Sequence, residues 1–132
     1  MNENTALLVM CRRVIADLIL AEISKTDIRP VAVSGFSEAG IEAAFHKQVA
    51  ALIEIPEGQA GAAGETLGVC EKLREISPGC KIVLLCPEYD KDSVKACVEA
   101  KRQGKIEDFL FYDVSTDYLV SILMALYGKK EA

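Results

Sequence analysis

The chain has 132 residues, 51% of them hydrophobic, and a formal net charge of −5 at pH 7. This length and composition suit one well-filled core, so we expect residues 1–132 to form a single domain. The acidic balance argues against a binder of nucleic-acid backbones, whose affinity comes from clustered lysine and arginine. No stretch approaches the ~18 consecutive apolar residues of a membrane-spanning helix, so we do not expect the chain to bind a membrane. With nucleic acid and membrane both disfavoured, the expected partner is a protein.

The cysteines indicate a reducing compartment. There are five of them, an odd number, and their spacing fits neither a CxxC motif nor another close set of metal ligands. We therefore expect free thiols in a cytoplasmic protein, with no bound metal and no cofactor. The five are Cys11, Cys70, Cys80, Cys86 and Cys97.

Short apolar runs alternate with helical patterns along the chain. The runs that predict strands are "ALLVM" (6–10), "RPVAVS" (29–34), "VAALIEI" (49–55), "KIVLLC" (81–86) and "EDFLFY" (107–112). The patterns that predict helices are "CRRVIADLILAEISK" (11–25), "SEAGIEAAFHKQ" (37–48), "TLGVCEKLREI" (66–76), "DKDSVKACVEAKRQGK" (90–105) and "STDYLVSILMALYGKK" (115–130). Continuous apolar strands suit a parallel sheet covered by helices on both faces. We predict an α/β fold, a three-layer α/β/α sandwich with a five-stranded parallel sheet.

Periodicity and capping residues predict the faces and ends of these helices. Ser37 and Ser115 are predicted N-caps, and Gly104 is a predicted C-terminal stop. The apolar stripes comprise Val14, Ile15, Leu18, Ile19 and Ile23 in the first helix, Ile41, Ala44 and Phe45 in the second, Leu67, Cys70, Leu73 and Ile76 in the third, Val94, Cys97 and Val98 in the fourth, and Leu119, Ile122, Leu123 and Leu126 in the fifth.

In open parallel sheets, ligands bind where the carboxyl ends of the strands meet. The blocks "LLVMCRR", "ALIEIPEG", "KIVLLCPE" and "GKIEDFLFYDVSTDYLVSIL" supply this edge, and over the whole chain they resemble the response-regulator receiver domain. The resemblance implies the flavodoxin-like strand order 2-1-3-4-5. It also implies an acidic pair that holds Mg²⁺, an acceptor Asp, a Ser or Thr, and a Lys-Pro dipeptide. By position these fall on Cys11 and Arg12, on Glu54, on Cys86, and on Tyr112 with Asp113.

All of these positions depart from the receiver pattern, which makes a degenerate receiver the expected class. A thiol beside a guanidinium offers Mg²⁺ no hard oxygen ligands, and phosphoryl transfer without the metal loses most of its charge neutralisation. Glu54 is also one methylene longer than Asp, which misaligns an in-line attack. We expect Arg12 to reach Glu54 and replace the metal with an ion pair. The alternative is a solvated Glu54 without a role.

The expected function is therefore a non-enzymatic signalling or regulatory module of a two-component system that binds a protein partner. The resemblance places Phe109 as an aromatic switch residue on the face formed by the last two helices and the strand between them, with Tyr118 on the same face. In receivers that face is the usual docking or dimer surface, so a homodimer is possible there. The alternative is that Phe109 and Phe111 alternate between the two faces of a covered strand.

Two other functions stay open. One is a thiol-based redox or ligand sensor that uses Cys11 and Cys86, with Arg12 lowering the pKa of a nearby thiol. The other is a residual phosphoreceiver that uses Glu54. His46 is expected to be a surface residue at a helix end, and the "GQAGAAG" stretch (58–64) a connection, because it lacks the Lys-Ser/Thr of a P-loop.

Overall fold

The computed structural model describes residues 4–33, 40 and 48–128. Five parallel strands form one sheet. They are β1 (Asn4–Val9), β2 (Arg29–Val33), β3 (Gln48–Glu54), β4 (Lys81–Cys86) and β5 (Asp108–Phe111). Their spatial order is β2-β1-β3-β4-β5, which confirms the predicted order 2-1-3-4-5.

Helices cover both faces of this sheet within the described part of the chain. They are α1 (Arg13–Ile23), α2 (Ala62–Ile76), α3 (Lys91–Arg102) and α4 (Thr116–Gly128). The helices α1 and α4 pack on one face, and α2 and α3 pack on the other. The predicted three-layer α/β/α sandwich is therefore confirmed. The predicted helix over 37–48, with Ser37 and His46, lies outside the described residues but for Gly40 and Gln48.

The central strands bury both of their faces, as their continuous apolar sequences predict. Alternate residues of a strand point to opposite sides, so Leu7 and Ile53 join the core under α2 and α3 while Leu8 and Leu52 join the core under α1 and α4. All four of these side chains are at most 1% exposed. The sheet is thus a well-packed scaffold whose carboxyl edge can hold side chains in fixed positions.

Two predicted helix ends are confirmed. The Ser115 side chain accepts a hydrogen bond from the Tyr118 N–H at 3.2 Å at the start of α4, and Gly104 has a φ of +78° just after α3. Helix α2 begins four residues earlier than the pattern predicted, at Ala62 instead of Thr66. Gly61, with a φ of +78°, ends the connection, and the alanines that follow are strong helix formers that bury against the sheet.

The predicted stripes were wrong at their margins. Ile19 and Ile23 define the buried side of α1, and at 100° per residue Val14 lies on the opposite side of the helix from Ile23. Similarly, Val98 is displaced from the buried Cys97 by a full 100°. The apolar side chains that the stripes placed inward and the structure leaves exposed are Val14 at 72%, Leu18 at 55%, Ile76 at 52% and Val98 at 49%.

None of the helices within the described ranges has the length and apolar character needed to cross a membrane.

Candidate functional site

The carboxyl ends of β1, β3 and β5 meet at one edge of the sheet, which we call the rim. Val9 lies opposite Ile53 in the parallel register, so the residues that follow β1 stand next to Glu54 at the end of β3. On the other side of β3, Glu54 lies opposite Leu85 of β4. This register brings the predicted pocket residues Cys11, Arg12 and Glu54 together.

The carboxylate of Glu54 is buried and fully engaged by N–H donors. Its Oε1 accepts the backbone N–H groups of Cys11 at 2.9 Å and Arg12 at 3.2 Å. Its Oε2 accepts the Nε–H of the Arg12 side chain at 2.8 Å. The residue is 4% exposed, and a buried carboxylate is tolerated only where charge-assisted hydrogen bonds replace its water. The ion pair that the sequence predicted is present, and Glu54 is not a solvated strand-end residue.

Tyr112 completes the rim from the side of β5. The Arg12 Cζ lies 3.8 Å from the centre of the Tyr112 ring, within the range of a cation–π contact. The Tyr112 hydroxyl donates a hydrogen bond to the backbone carbonyl of Ile55. Burial raises the pKa of the Tyr112 phenol, and the negative charge of Glu54 raises it further. At the position where the resemblance implied a lysine, Tyr112 is therefore an uncharged residue that contacts both Arg12 and the backbone of Ile55.

The donor chemistry of the rim does not fit Mg²⁺. That ion requires hard oxygen ligands in octahedral geometry, whereas both oxygens of Glu54 already accept hydrogen bonds and the Arg12 guanidinium stands beside them. A second cation at this point would face the charge of Arg12 at short range. Over the described ranges, no group of three or more His, Cys, Asp or Glu side chains could hold a metal ion.

The two cysteines of the expected sensor lie in different surroundings. Cys11 is exposed at the rim, whereas the thiol of Cys86 is buried in the core under α2 and α3. β4 directs the Cys86 side chain into this core, so the two thiols do not share the exposed rim, and the sensor that uses both of them stays a prediction. Partial burial and the charge of Glu54 raise the pKa of Cys11, and they outweigh the lowering by Arg12 that the sequence predicted.

The two proposed switch residues lie apart from each other. Phe109 packs against the core under α2 and α3, whereas Tyr118 projects from α4 and is 52% exposed. Phe109 and Phe111 are in edge-to-face contact, with ring centres 5.9 Å apart and planes at 77°. The expected alternation of these two rings between faces is wrong, since residues two apart on a strand share a face.

Sequence reasoning missed one strong polar contact at the opposite, amino-terminal edge of the sheet. The Oε1 of Glu107 accepts the backbone N–H of Ile82 at 2.6 Å and the Nη2–H of Arg74 at 2.6 Å. Arg74 also donates to the carbonyl of Cys80 at 3.1 Å and to that of Gly104 at 2.9 Å. This network ties α2 to the turns before β4 and β5, so its role is structural.

The strand order, the covering helices and the polar rim define a receiver-like domain with the flavodoxin-like fold. A response regulator from Thermotoga maritima is similar, with a TM-score of 0.76 and 20% identity over 96% of this chain and 98% of that chain. The receiver domain of a sensor histidine kinase from Pseudomonas aeruginosa PAO1, which has a magnesium ion coordinated in its active-site cleft, gives a TM-score of 0.72 at 19% identity over 96% of this chain and 98% of that chain.

A structure described as a redox sensor of the streptococci that evolved from two-component response regulators is also similar. Its TM-score is 0.76 at 18% identity, over 97% of this chain and 52% of that chain. No protein-family model matches the sequence, and no curated protein matches it. At these identities the likeness establishes the receiver fold, while the rim of this chain is known from its own residues.

Proposed function

We propose that this chain is a receiver-like regulatory module that acts by binding a protein partner and has no phosphotransfer activity of its own. In this proposal the Arg12–Glu54 ion pair replaces the divalent cation and the acceptor carboxylate of a receiver. The fold supports a role in signal transduction, since the similar structures include response regulators and the receiver domain of a sensor kinase.

The observation that carries the proposal is the state of the Glu54 carboxylate. A phosphoryl acceptor needs an oxygen that is free to attack and a cation that neutralises the transferred charge. Here Oε1 accepts two backbone N–H groups and Oε2 is bound by Arg12. Attack by Glu54 would first have to break an ion pair whose carboxylate is 4% exposed. The same contacts disfavour the residual phosphoreceiver.

The rim pair also suggests what the module does without phosphorylation. Because one guanidinium bridges Glu54 and the Tyr112 ring, the ends of β1, β3 and β5 are held in one arrangement without an added ligand. A partner would then meet a constant surface, and the module would be regulated by the supply of the partner or by a change elsewhere in the domain. Self-association through the α3–β5–α4 face remains a prediction, which the molar mass from light scattering across a concentration series would test.

The direct test combines acetyl phosphate with Mg²⁺, and separately beryllofluoride with Mg²⁺, followed by intact mass and by backbone NMR. We expect no gain of mass and no Mg²⁺-dependent shift at Cys11, Arg12 or Glu54. The Pseudomonas aeruginosa receiver domain that coordinates magnesium serves as the positive control. A phosphoryl adduct that maps to Glu54, or Mg²⁺ shifts centred on the rim, would overturn the proposal.

A restored variant makes the same test in the opposite direction. The triple change Cys11→Asp, Arg12→Asp and Glu54→Asp returns an acidic pair and a shorter acceptor to the rim, which supplies the hard oxygen ligands that Mg²⁺ prefers. We expect Mg²⁺-dependent NMR shifts at the rim of the triple variant and none in the single Glu54→Asp variant, which keeps Arg12. If the parent chain binds Mg²⁺ at the rim as tightly as the triple variant does, Arg12 does not replace the metal.

A further inference from the structure

Four of the five cysteines lie in the same half of the core. They come from different parts of the chain, yet all pack between the sheet and the helices α2 and α3. Each is at most 1% exposed. They are Cys70 on α2, Cys80 before β4, Cys86 at the end of β4 and Cys97 on α3.

Two of these thiols interact with each other. Cys86 is the last residue of β4 and Cys97 lies in the second turn of α3, and both side chains lie in the same buried cluster. The Cys86 thiol also lies 3.6 Å from the carbonyl oxygen of Pro87 and can donate to it. The interaction with the Cys97 side chain lowers the pKa of Cys86, and the same interaction together with burial raises the pKa of Cys97. Cys86 is therefore the better nucleophile and Cys97 the thiol that keeps its proton.

A cavity adjoins the core that contains this pair. Its volume is about 350 Å³, and it lies between the β3–α2 connection and the start of α3. Its walls include Ala62, Ala63 and Ala96, which also belong to or pack against the core that contains both thiols. Neither thiol lines the cavity, so oxidation of the pair requires a local opening of α3 that admits a molecule of the size of hydrogen peroxide.

We propose that Cys86 and Cys97 form a reversible disulfide when a small hydroperoxide oxidises this domain. The Cys86 sulfur attacks the peroxide, the O–O bond breaks, and Cys86 becomes a sulfenic acid while one water or alcohol leaves. The Cys97 sulfur then attacks the Cys86 sulfur, forms the S–S bond and releases water. Two thiols lose two electrons and two protons in total, and the hydroperoxide takes up both.

The bond would fasten α3 to the carboxyl end of β4. The first turn of α3 is held by the Asp90 cap, and Val94 and Ala96 pack against the core. The outer face of the same helix carries Val98, which is 49% exposed. Oxidation would thus fix the orientation of a surface that a partner can contact, a consequence that rests on the proposed function, whereas the disulfide itself does not.

Peptide mapping tests the disulfide directly on the whole chain. Trypsin cleaves after Lys81, Lys91, Lys95 and Lys101, so Cys86 falls in the peptide 82–91 and Cys97 in the peptide 96–101. We expect hydrogen peroxide, followed by alkylation and digestion without reductant, to yield these two peptides joined by a disulfide. Reductant should release them. A Cys11→Ser background removes the exposed thiol and prevents dimers through it.

Matched variants separate this pair from the neighbouring thiols. Cys97→Ala should leave Cys86 as a trapped sulfenic acid that dimedone labels, while Cys70→Ala, in the same core, should leave the linked peptides unchanged. If peroxide joins neither peptide, or joins Cys86 to Cys70 or Cys80, the proposal is wrong. The mapping of the unaltered thiol pair decides the matter even if Cys97→Ala fails to fold.

Hydrogen exchange provides an independent measurement of the consequence. The amides of α3 should exchange several-fold more slowly in the oxidised domain, because the disulfide removes local openings in which α3 leaves β4. The amides of α1, on the other face of the sheet, should be unchanged. If the linked peptides form but the amides of α3 do not exchange more slowly, the disulfide is confirmed and its proposed effect on the surface of α3 is wrong.

Discussion

Arg12 contacts two side chains of the rim through one guanidinium. Its Nε–H binds Glu54 at 2.8 Å, and its Cζ lies 3.8 Å from the centre of the Tyr112 ring. Arginine combines a planar, delocalised cation with a rigid fork of N–H donors, which lysine does not. The Arg12 side chain is 39% exposed while that of Glu54 is 2% exposed, so solvent weakens the pair but does not replace it.

Replacement of Arg12 measures what this arrangement contributes. We expect Arg12→Ala to lower the free energy of unfolding by about 1–3 kcal/mol, because a buried carboxylate loses a charged donor, with partial exposure keeping the loss below that of a fully buried pair. Urea denaturation at neutral pH gives the value. The Arg12→Lys variant keeps the positive charge but loses the guanidinium donors and their planar contact with the Tyr112 ring. We therefore expect its free energy of unfolding to lie between those of the parent chain and Arg12→Ala.

The adjacent Arg13 offers a matched control for this measurement. It is exposed at the first position of α1, so Arg13→Ala should change the stability by less than about 0.5 kcal/mol. A double-mutant cycle with Glu54→Gln then isolates the coupling between Arg12 and Glu54. Equal effects of the two arginine variants, or a coupling of zero, would contradict the role given to the ion pair.

At the level of elements, the start of α3 depends on a single capping side chain. Asp90 accepts the backbone N–H of Ser93 at 3.2 Å and the Ser93 hydroxyl at 2.9 Å. Ser93 is 2% exposed. Loss of the cap would therefore leave two buried donors without this acceptor, beside the thiol pair and the cavity of the proposed oxidation site.

Substitution of the cap should destabilise the domain locally. We expect Asp90→Ala to lower the free energy of unfolding by about 1–2 kcal/mol, since the cap and the Ser93 hydroxyl lose their acceptor together, and Asp90→Asn to retain most of the stability. Asp92→Ala, an exposed acidic change in the same first turn, should cost only a few tenths of a kcal/mol. Thermal unfolding followed by circular dichroism compares the three, and similar melting temperatures for Asp90→Ala and Asp92→Ala would contradict the expectation.

The elements themselves were predictable where one physical signal dominated. Strand β4 was predicted at its observed bounds, 81–86, because the four aliphatic residues 82–85 lie between a Pro-Gly turn and another proline. The start of α2 was not predictable from periodicity, because Ala62 and Ala63 carry no apolar contrast with the glycines before them. The exposed Val14 was mistaken for a core residue because five closely spaced apolar residues in α1 fit more than one face.

For the whole molecule, the site was predictable to the extent that topology placed it. Parallel strands in the order 2-1-3-4-5 put residues after β1 beside the end of β3, so opposite charges on Arg12 and Glu54 were enough to predict their pairing. The contact of Cys86 with Cys97 was different, because the geometry of the loop between β4 and α3 decides which way α3 lies. No pattern of eleven-residue spacing encodes that contact, and it required the three-dimensional structure.

The buried thiols also determine how the whole molecule responds to alkali. Burial raises the pKa of Cys70 and that of Cys80 from the ordinary 9.0 to about 12. Both thiols keep their protons in the folded state while the unfolded chain ionises above pH 9, so the stability present below pH 9 is lost as the pH rises toward 12. We expect the free energy of unfolding to fall by about 2–3 kcal/mol between pH 8 and pH 10 from these two thiols together.

Urea denaturation in the presence of reductant measures this fall, and Cys70→Ala should reduce it by about half. A stability that stays constant up to pH 10 would mean that these thiols ionise as easily in the folded domain as in the unfolded chain.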